Sequence, residues 1–483
     1  NFVGELRPYQ IRGVSWLEFL RKNGFGACLA DDMGLGKTVQ TLAFLQQTRQ
    51  QQAANELRPT LLVCPTSLLG NWLREAEKFT PELPVILHHG PDRARGASFL
   101  EATKQNTIVL TTYTLLQKDL DDFRQVQWDT IVLDEAQNIK NPYAQQSQAA
   151  FALTARFKLA LTGTPVENNV SDLWSLMHFL NPGFLGRQAD FHERYFIPIQ
   201  VFQDQEKIKQ LRKLTSPFIL RRLKTDKNIL PDLPAKLERK TTCTLTKEHA
   251  SLYAAVVADA TGGLDQASGM KRKSLVLTTL LRLKQICDHP ALLLPEKTRI
   301  DGRSGKLKML TEMLAGVVAS GQRALVFTQF QGMGELIQRH LQNSFGTEIL
   351  FLHGGTERAK RERMVQRFQS EEQAPPVFVL CLKSGGAGLN LTRATHVFHF
   401  DRWWNPAVED QATDRAYRLG QDSQVQVHKF VCAGTLEEYI DEIIESKKQL
   451  ASAMIAAGEG WLTELSTEQL RDVLSLRNTA VVE

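Results

Sequence analysis

The chain lacks a C-x-x-C pair, any apolar run near the ~20 residues needed to cross a bilayer, and any repeat of fixed period. Its six cysteines (Cys28, Cys64, Cys243, Cys287, Cys381 and Cys432) are scattered. Most sit in apolar runs such as "LLVCPT" and "VFVLCL", where a thiol serves as a small core side chain. A disulfide framework and a cysteine zinc site are thereby disfavoured. His396 and His399, in "HVFH", have a conceivable ligand spacing but lie in a stretch that reads as a buried strand. The N-terminus "NFVGELRPYQ" carries no signal-peptide apolar region and no initiator methionine, so the expectation is a piece of a longer chain from a reducing compartment, with no membrane partner. That compartment is cytoplasm or nucleoid in a prokaryote and nucleus in a eukaryote. Charge is also short of an extreme: 58 Lys+Arg against 53 Asp+Glu give +5, which permits a polyanion partner without demanding one.

What is present is length and alternation. The 483 residues exceed what one hydrophobic core supports, so two or more domains are expected. Short β-branched runs alternate with helical patterns, which predicts parallel α/β architecture. One series comprises "GACLAD" (26–31), "TLLVCPT" (60–66), "TIVLTTY" (107–113), "TIVLDEA" (130–136) and "KLALTGT" (158–164). A second comprises "RALVFTQF" (323–330), "EILFLHG" (348–354), "PVFVLCL" (376–382), "THVFHFD" (395–401) and "QVHKFV" (426–431). The expected division is a first lobe over 1–218 with a helical insertion after about 171, a linker and helical protrusion over 219–300, a second lobe over 301–450 and a C-terminal helical segment over 451–483.

"LADDMGLGKTVQT" (29–41) follows the first of these strands. Gly34 and Gly36 let the backbone curl so that its N–H groups face phosphates, Lys37 reaches the β and γ phosphates, and the Thr38 hydroxyl ligates magnesium. The pattern departs from the usual one at its first position, where Asp31 replaces a glycine. "IVLDEAQ" (131–137) supplies the other half of a nucleotide hydrolase: Asp134 to hold magnesium and Glu135 to polarise the attacking water. "EDQATDRAYRLGQ" (409–421) reads as a helix, placing Gln411, Arg415 and Arg418 on one face, the two arginines as candidate cations for a γ-phosphate.

Taken in order, "LRPYQ", "DDMGLGKT", "LLVCPTSLLGNW", "DEAQ", "LTGTP", "VFTQF", "LKSGGAGLNLT" and "DQATDRAYRLGQ" are similar to the motifs of superfamily-two helicases. "ILRRLKTD", "ICDHP" and "WWNPAVEDQATDRAYRLGQ" narrow the resemblance to the Swi/Snf family of DNA-translocating ATPases, in a form closer to its prokaryotic members. The resemblance runs from Leu6 to about residue 450. It implies two RecA-like lobes with parallel sheets, helical insertions between and within them, ATP and magnesium as cofactors, and duplex DNA as the track, with DNA-bound proteins as remodelling targets. It implies that Gln10 reads adenine, that Thr162 and Thr164 couple the nucleotide to lobe movement, and that Arg415 and Arg418 are paired arginine fingers. Gln137 stands where the family more often has histidine, which bears on the same coupling.

Phosphate contacts carry no sequence information, which suits a motor stepping over any sequence. Thr66, Ser67, Asn71 and Trp72, with Thr112, Lys383 and Ser384, can donate to phosphates, and Trp404 matches a family tryptophan near the DNA groove. The leading expectation is an ATP-dependent duplex translocase that does not separate strands; a strand-separating helicase and a nucleotide-regulated scaffold remain as alternatives. A monomer is expected.

Overall fold

The fold is that of a computed structural model, which describes residues 2–52, 57–103, 108–163, 170–202, 204–224, 226–230, 233–264, 267–294, 300–369, 374–382, 389–404, 406–446, 466–477 and 480. The chain divides into two units, Asn1–Asp232 and Leu233–Glu483. The first unit holds strands β1 (Ala27–Leu29), β2 (Thr60–Cys64), β3 (Val85–Leu87), β4 (Ile108–Thr112), β5 (Trp128–Asp134), β6 (Ala155–Leu161) and β7 (Ile219–Leu220). The second holds β8 (Lys236–Cys243), β9 (Ala324–Thr328), β10 (Leu350–Leu352), β11 (Val377–Cys381), β12 (His396–His399) and β13 (Val425–Cys432). Each set forms one parallel sheet, ordered β3-β4-β2-β5-β6-β1-β7 and β10-β11-β9-β12-β13-β8.

All ten expected strands are present, in two parallel sheets with helices on their faces. Three strands are not among those expected: β3, β7 and β8. Each is the edge of its sheet. An edge strand is buried on fewer sides, and β8 ("KLERKTTC") is charged and exposed over most of its length. The interval 219–300, expected as linker and protrusion, is instead divided: β7 closes the first sheet, β8 edges the second, and Tyr253, Val276, Leu280, Leu283 and Ile286 from its two helices lie in the second unit's core. Most of 451–483 lies outside the described residues, apart from the helix Thr467–Leu474.

In the second unit the period-two pattern shows directly. Ala324 and Val326 of β9 and Val377 and Val379 of β11 face one core, while Leu325, Phe327, Phe378 and Leu380 face the other. Both faces are covered, as a parallel sheet requires. Among the described residues no helix is long and apolar enough to cross a membrane.

One polar group is sealed inside this unit. Lys306 donates to Asp288 at 2.9 Å and to Glu437 at 2.6 Å, all three side chains having no solvent exposure. Cys287 and Cys432 lie beside Glu437. The ammonium and the Cys432 amide already occupy that carboxylate, so the cluster is a packed polar core. Removing the cation strands two carboxylates away from water. Lys306→Met is therefore expected to cost about 3–5 kcal/mol, read as a lowered urea midpoint for the second unit.

Candidate active site

The loop between β1 and the helix α2 (Lys37–Gln50) turns on two glycines with left-handed backbone, Gly34 (φ 85°) and Gly36 (φ 78°). Gly36 is held by sterics as well. A Cβ there would sit 2.5 Å from the Gln10 amide nitrogen. Lys37 opens α2 and Thr38 follows it, so both side chains stand at the helix N-terminus, where backbone N–H groups favour phosphate. The Lys37 ammonium donates to the Asp31 carbonyl at 2.5 Å.

Asp31 does not need a glycine's freedom, since Glu135 is the one non-glycine among the described residues with positive φ. Its carboxylate is fully buried and ion-paired with Arg222. The departure from the usual glycine thus has a structural cause. Tyr9 and Gln10, near the start of the helix α1 (Pro8–Lys22), both donate to the Leu35 carbonyl, at 2.9 and 3.1 Å. Gln10 therefore touches the phosphate loop itself.

The hydrolytic carboxylates stand at the end of β5. Asp134 accepts from the Trp72 indole N–H at 2.8 Å and from the Glu135 amide at 2.9 Å, while the Tyr113 hydroxyl donates to its carbonyl. Burial first, then the charge of Glu135, pushes the Asp134 carboxyl up to about 7. Its hydrogen bonds come from neutral donors, and among the described residues the half-buried carboxylate has no ion-pair partner, the positive charge acting on it being that of Lys37. A carboxylate and a hydroxyl such as that of Thr38 are hard oxygen donors, the ligand type that suits magnesium.

Glu135 has φ 52° and ψ 54°, a strained conformation for a residue with a side chain. Its carboxylate accepts from Gln137 at 2.6 Å, and the other end of that amide accepts from Thr162 at 3.1 Å. Thr162 follows β6, which lies between β5 and β1. At the next residue, a Cβ on Gly163 would be 3.7 Å from the Lys37 ammonium. Lys37, Glu135, Gln137 and Thr162 are thus gathered at the carboxyl ends of three adjacent strands. Thr164 lies outside the described residues.

The expected DNA contacts are divided. Thr66 and Ser67 are exposed just past β2, and Asn71 is half-buried with its amide on Glu75 at 3.0 Å. Trp72 is not a surface group: with Leu69 and Ala76 it forms the buried face of the helix α3 (Leu69–Phe79) and is spent on Asp134. Thr112 is buried and caps the helix Tyr113–Lys118 through the Leu115 amide. Trp404 is likewise buried in the second unit's core, 5.3 Å from the Lys284 ammonium, while Trp403 is half-exposed. Lys383 and Ser384 lie outside the described residues.

The expected helix over 409–421 ends early. The helix Pro406–Thr413 contains Gln411, but Arg415 and Arg418 follow in turns, so the three do not share a helix face. Tertiary bonds win over helical continuation. The Gln421 amide donates to the carbonyls of Thr392, Ala394 and Ala416, at 2.9, 3.0 and 3.1 Å, and the Leu391 amide donates to the Arg415 carbonyl. Arg415 is buried over the Phe327 ring, with its Nη1 lacking a hydrogen-bond partner among the described residues. Burial, then the charge of Arg361, pulls it down to about 10, so it stays cationic at neutral pH. Arg418 donates to the Leu389 carbonyl at 3.4 Å.

The sequence alone does not mark Tyr9, Gln40, Tyr113 or Arg222 as site residues. One signal was available for Arg222: an aspartate in a buried loop requires a cation, and "ILRRLKTD" supplies candidates.

Residues 9–292 match the SNF2-related domain model and residues 305–420 match the helicase conserved C-terminal domain model. The chain is 47% identical to the putative ATP-dependent helicase/translocase YwqA of Bacillus subtilis, over 99% of this chain and 52% of that protein. It is 34% identical to human SWI/SNF-related matrix-associated actin-dependent regulator of chromatin subfamily A member 1, over 94% and 44%. The chain thus spans about half the length of the curated relatives it matches. Among solved structures it is similar to the Sulfolobus solfataricus SWI2/SNF2 ATPase core in complex with dsDNA, with 45% identity over 99% of this chain and 98% of that one, and a TM-score of 0.49.

The Trp72–Asp134 bond is open to a direct test. Trp72→Phe keeps most of the buried ring and removes only the N–H donor. A loss of nucleotide turnover of about ten- to a hundredfold is expected, since a bond to a charged acceptor is worth about 1.5–3 kcal/mol. The measurement is steady-state turnover beside a melting curve, and the loss should exceed any fraction unfolded.

Proposed function

The chain belongs to the SNF2-related family, and on that premise we propose that it is the ATP-hydrolysing motor of a double-stranded DNA translocase that tracks along duplex without separating its strands. The observation that carries the hydrolysis is the juxtaposition of Lys37 with the linked side chains of Glu135, Gln137 and Thr162. ATP would be held by the phosphate loop and Lys37, with the Tyr9–Gln10 turn facing the base. Magnesium, held by Thr38 and Asp134, would supply charge neutralisation of the transferring phosphoryl group.

In this reading Glu135 orients the attacking water and accepts its proton. Gln137 fixes the carboxylate's position and carries any shift of it to Thr162, which is the physical content of a coupling role for those residues. Arg415 and Arg418 would be the further cations that the transition state needs. Arg415 fits the role in keeping a cationic side chain with a donor that has no partner among the described residues.

For the track, the support is the exposed Thr66 and Ser67 past β2, the basic helix Arg358–Gln369, and the duplex bound by the Sulfolobus relative. Such contacts address phosphate, so they are indifferent to sequence and sensitive to salt. ATP and DNA that favour the same conformation must strengthen each other's binding, and repeated hydrolysis would convert that linkage into stepping. Proteins bound to the duplex would be what such a motor meets and displaces.

Two outcomes are expected. Glu135→Gln should bind ATP and lose hydrolysis, as measured by nucleotide binding and phosphate release. Duplex DNA should stimulate the wild-type ATPase above single strands or RNA, with half-stimulation moving to higher DNA concentration as salt rises, and the protein should displace a triplex-forming strand without opening a forked duplex. Robust fork opening would favour a strand-separating helicase, and binding without turnover would favour a nucleotide-regulated scaffold.

A further inference from the structure

The segment Leu220–Lys224 runs beside the phosphate loop as an extension of the β1–β7 pairing. Ala30 donates to the Leu220 carbonyl at 2.8 Å and Asp32 to the Arg222 carbonyl at 3.0 Å. Both loop carboxylates reach back. Asp31 accepts the Arg222 amide at 3.1 Å, and Asp32 accepts the Lys224 amide at 3.0 Å.

The Arg222 side chain does more than neutralise Asp31. Its Nε donates to Asp31 Oδ1 at 2.9 Å and its Nη2 to Asp31 Oδ2, closing a forked pair. Nη2 also donates to Gln40 Oε1 at 2.6 Å, and Nη1 donates to the Tyr9 carbonyl. The guanidinium lies 5.0 Å from the centre of the Tyr9 ring. One half-buried side chain thereby spans the phosphate loop, the helix that follows it, and the first helical turn carrying Tyr9 and Gln10. A lysine could balance the charge, but a single ammonium lacks the planar fork that meets these partners together.

We propose that Arg222 is a positioning residue of the nucleotide site: it sets the spacing between the phosphate loop and the Tyr9–Gln10 turn, and so governs both nucleotide affinity and the preference for adenine. The inference rests on reading this site as an ATP site. The segment it belongs to continues to the end of the first unit at Asp232, so the phosphate loop is also hydrogen-bonded to the stretch by which the chain leaves that unit.

The test is equilibrium binding of fluorescent ADP and GDP to the purified chain, with ATP turnover measured alongside. Arg222→Lys should weaken ADP binding about tenfold, the loss expected of a charge-assisted bond, and should bring the ADP:GDP affinity ratio toward one. A purely structural role would lower the melting temperature without changing that ratio. Because Arg222→Lys could also unfold the loop, the double variant Asp31→Asn/Arg222→Met, which removes both charges, must show the same collapse of the ratio in a folded protein. Unchanged ADP affinity and ratio in both variants overturns the proposal. A wild-type chain that binds ADP but hydrolyses no ATP overturns the ATPase reading instead, and the binding ratio still decides the role of Arg222.

Discussion

Parallel strands cannot be joined by tight turns, so each must pass its chain through a crossover before the next begins, and their carboxyl ends all point one way. In the first unit this constraint gathers the loops after β1, β5 and β6, which are neighbours in the sheet though far apart in sequence. Lys37, Glu135 and Thr162 come together for that reason. The apolar strands supply the stability, and the polar residues that follow them inherit their positions from the sheet.

Within that frame, two carboxylates that follow strands of the same sheet, Asp31 after β1 and Asp134 at the end of β5, are treated in opposite ways. Asp31 is given a protein cation, Arg222, and becomes part of the scaffold. Asp134 is given neutral donors, Trp72 and a backbone amide, and its carboxyl rises to about 7 because burial penalises the charge. A carboxylate already paired has little to offer an incoming metal. The same logic separates the sealed Lys306–Asp288–Glu437 cluster from Arg415, whose buried guanidinium keeps one donor without a partner among the described residues.

Sequence signals tracked burial. Strands covered on both faces and both sides, such as β2, β5, β9 and β11, announce themselves as apolar runs. The edge strands β3, β7 and β8 did not: β3 and β7 are apolar but only three and two residues long, and β8 is charged because an edge tolerates charge. Trp72 and Trp404 misled for a related reason: an aromatic beside polar residues reads as a contact surface, and only packing shows which side of the helix or loop faces inward. The helix ending at Thr413 was overrun because Gln421 spends its amide on three carbonyls distant in the chain or beyond the last turn, bonds that no local pattern reports.

By itself the sequence determined the α/β class, the order of the ten apolar strands, the phosphate loop at Gly34–Thr38 and the acidic pair Asp134–Glu135. All of these are local: periodicity, glycine spacing and a strand that ends in carboxylates. Tertiary structure alone decided that Trp72 serves Asp134, that Gln137 bridges Glu135 to Thr162, and that Arg222 closes on Asp31 across 191 positions of chain. The physical reason is that a buried charge must be balanced by whatever group the fold brings within about 3 Å. That requirement is visible at Asp31 in the sequence, but its partner is chosen by the pairing of β1 with β7, a two-residue contact at the sheet's edge.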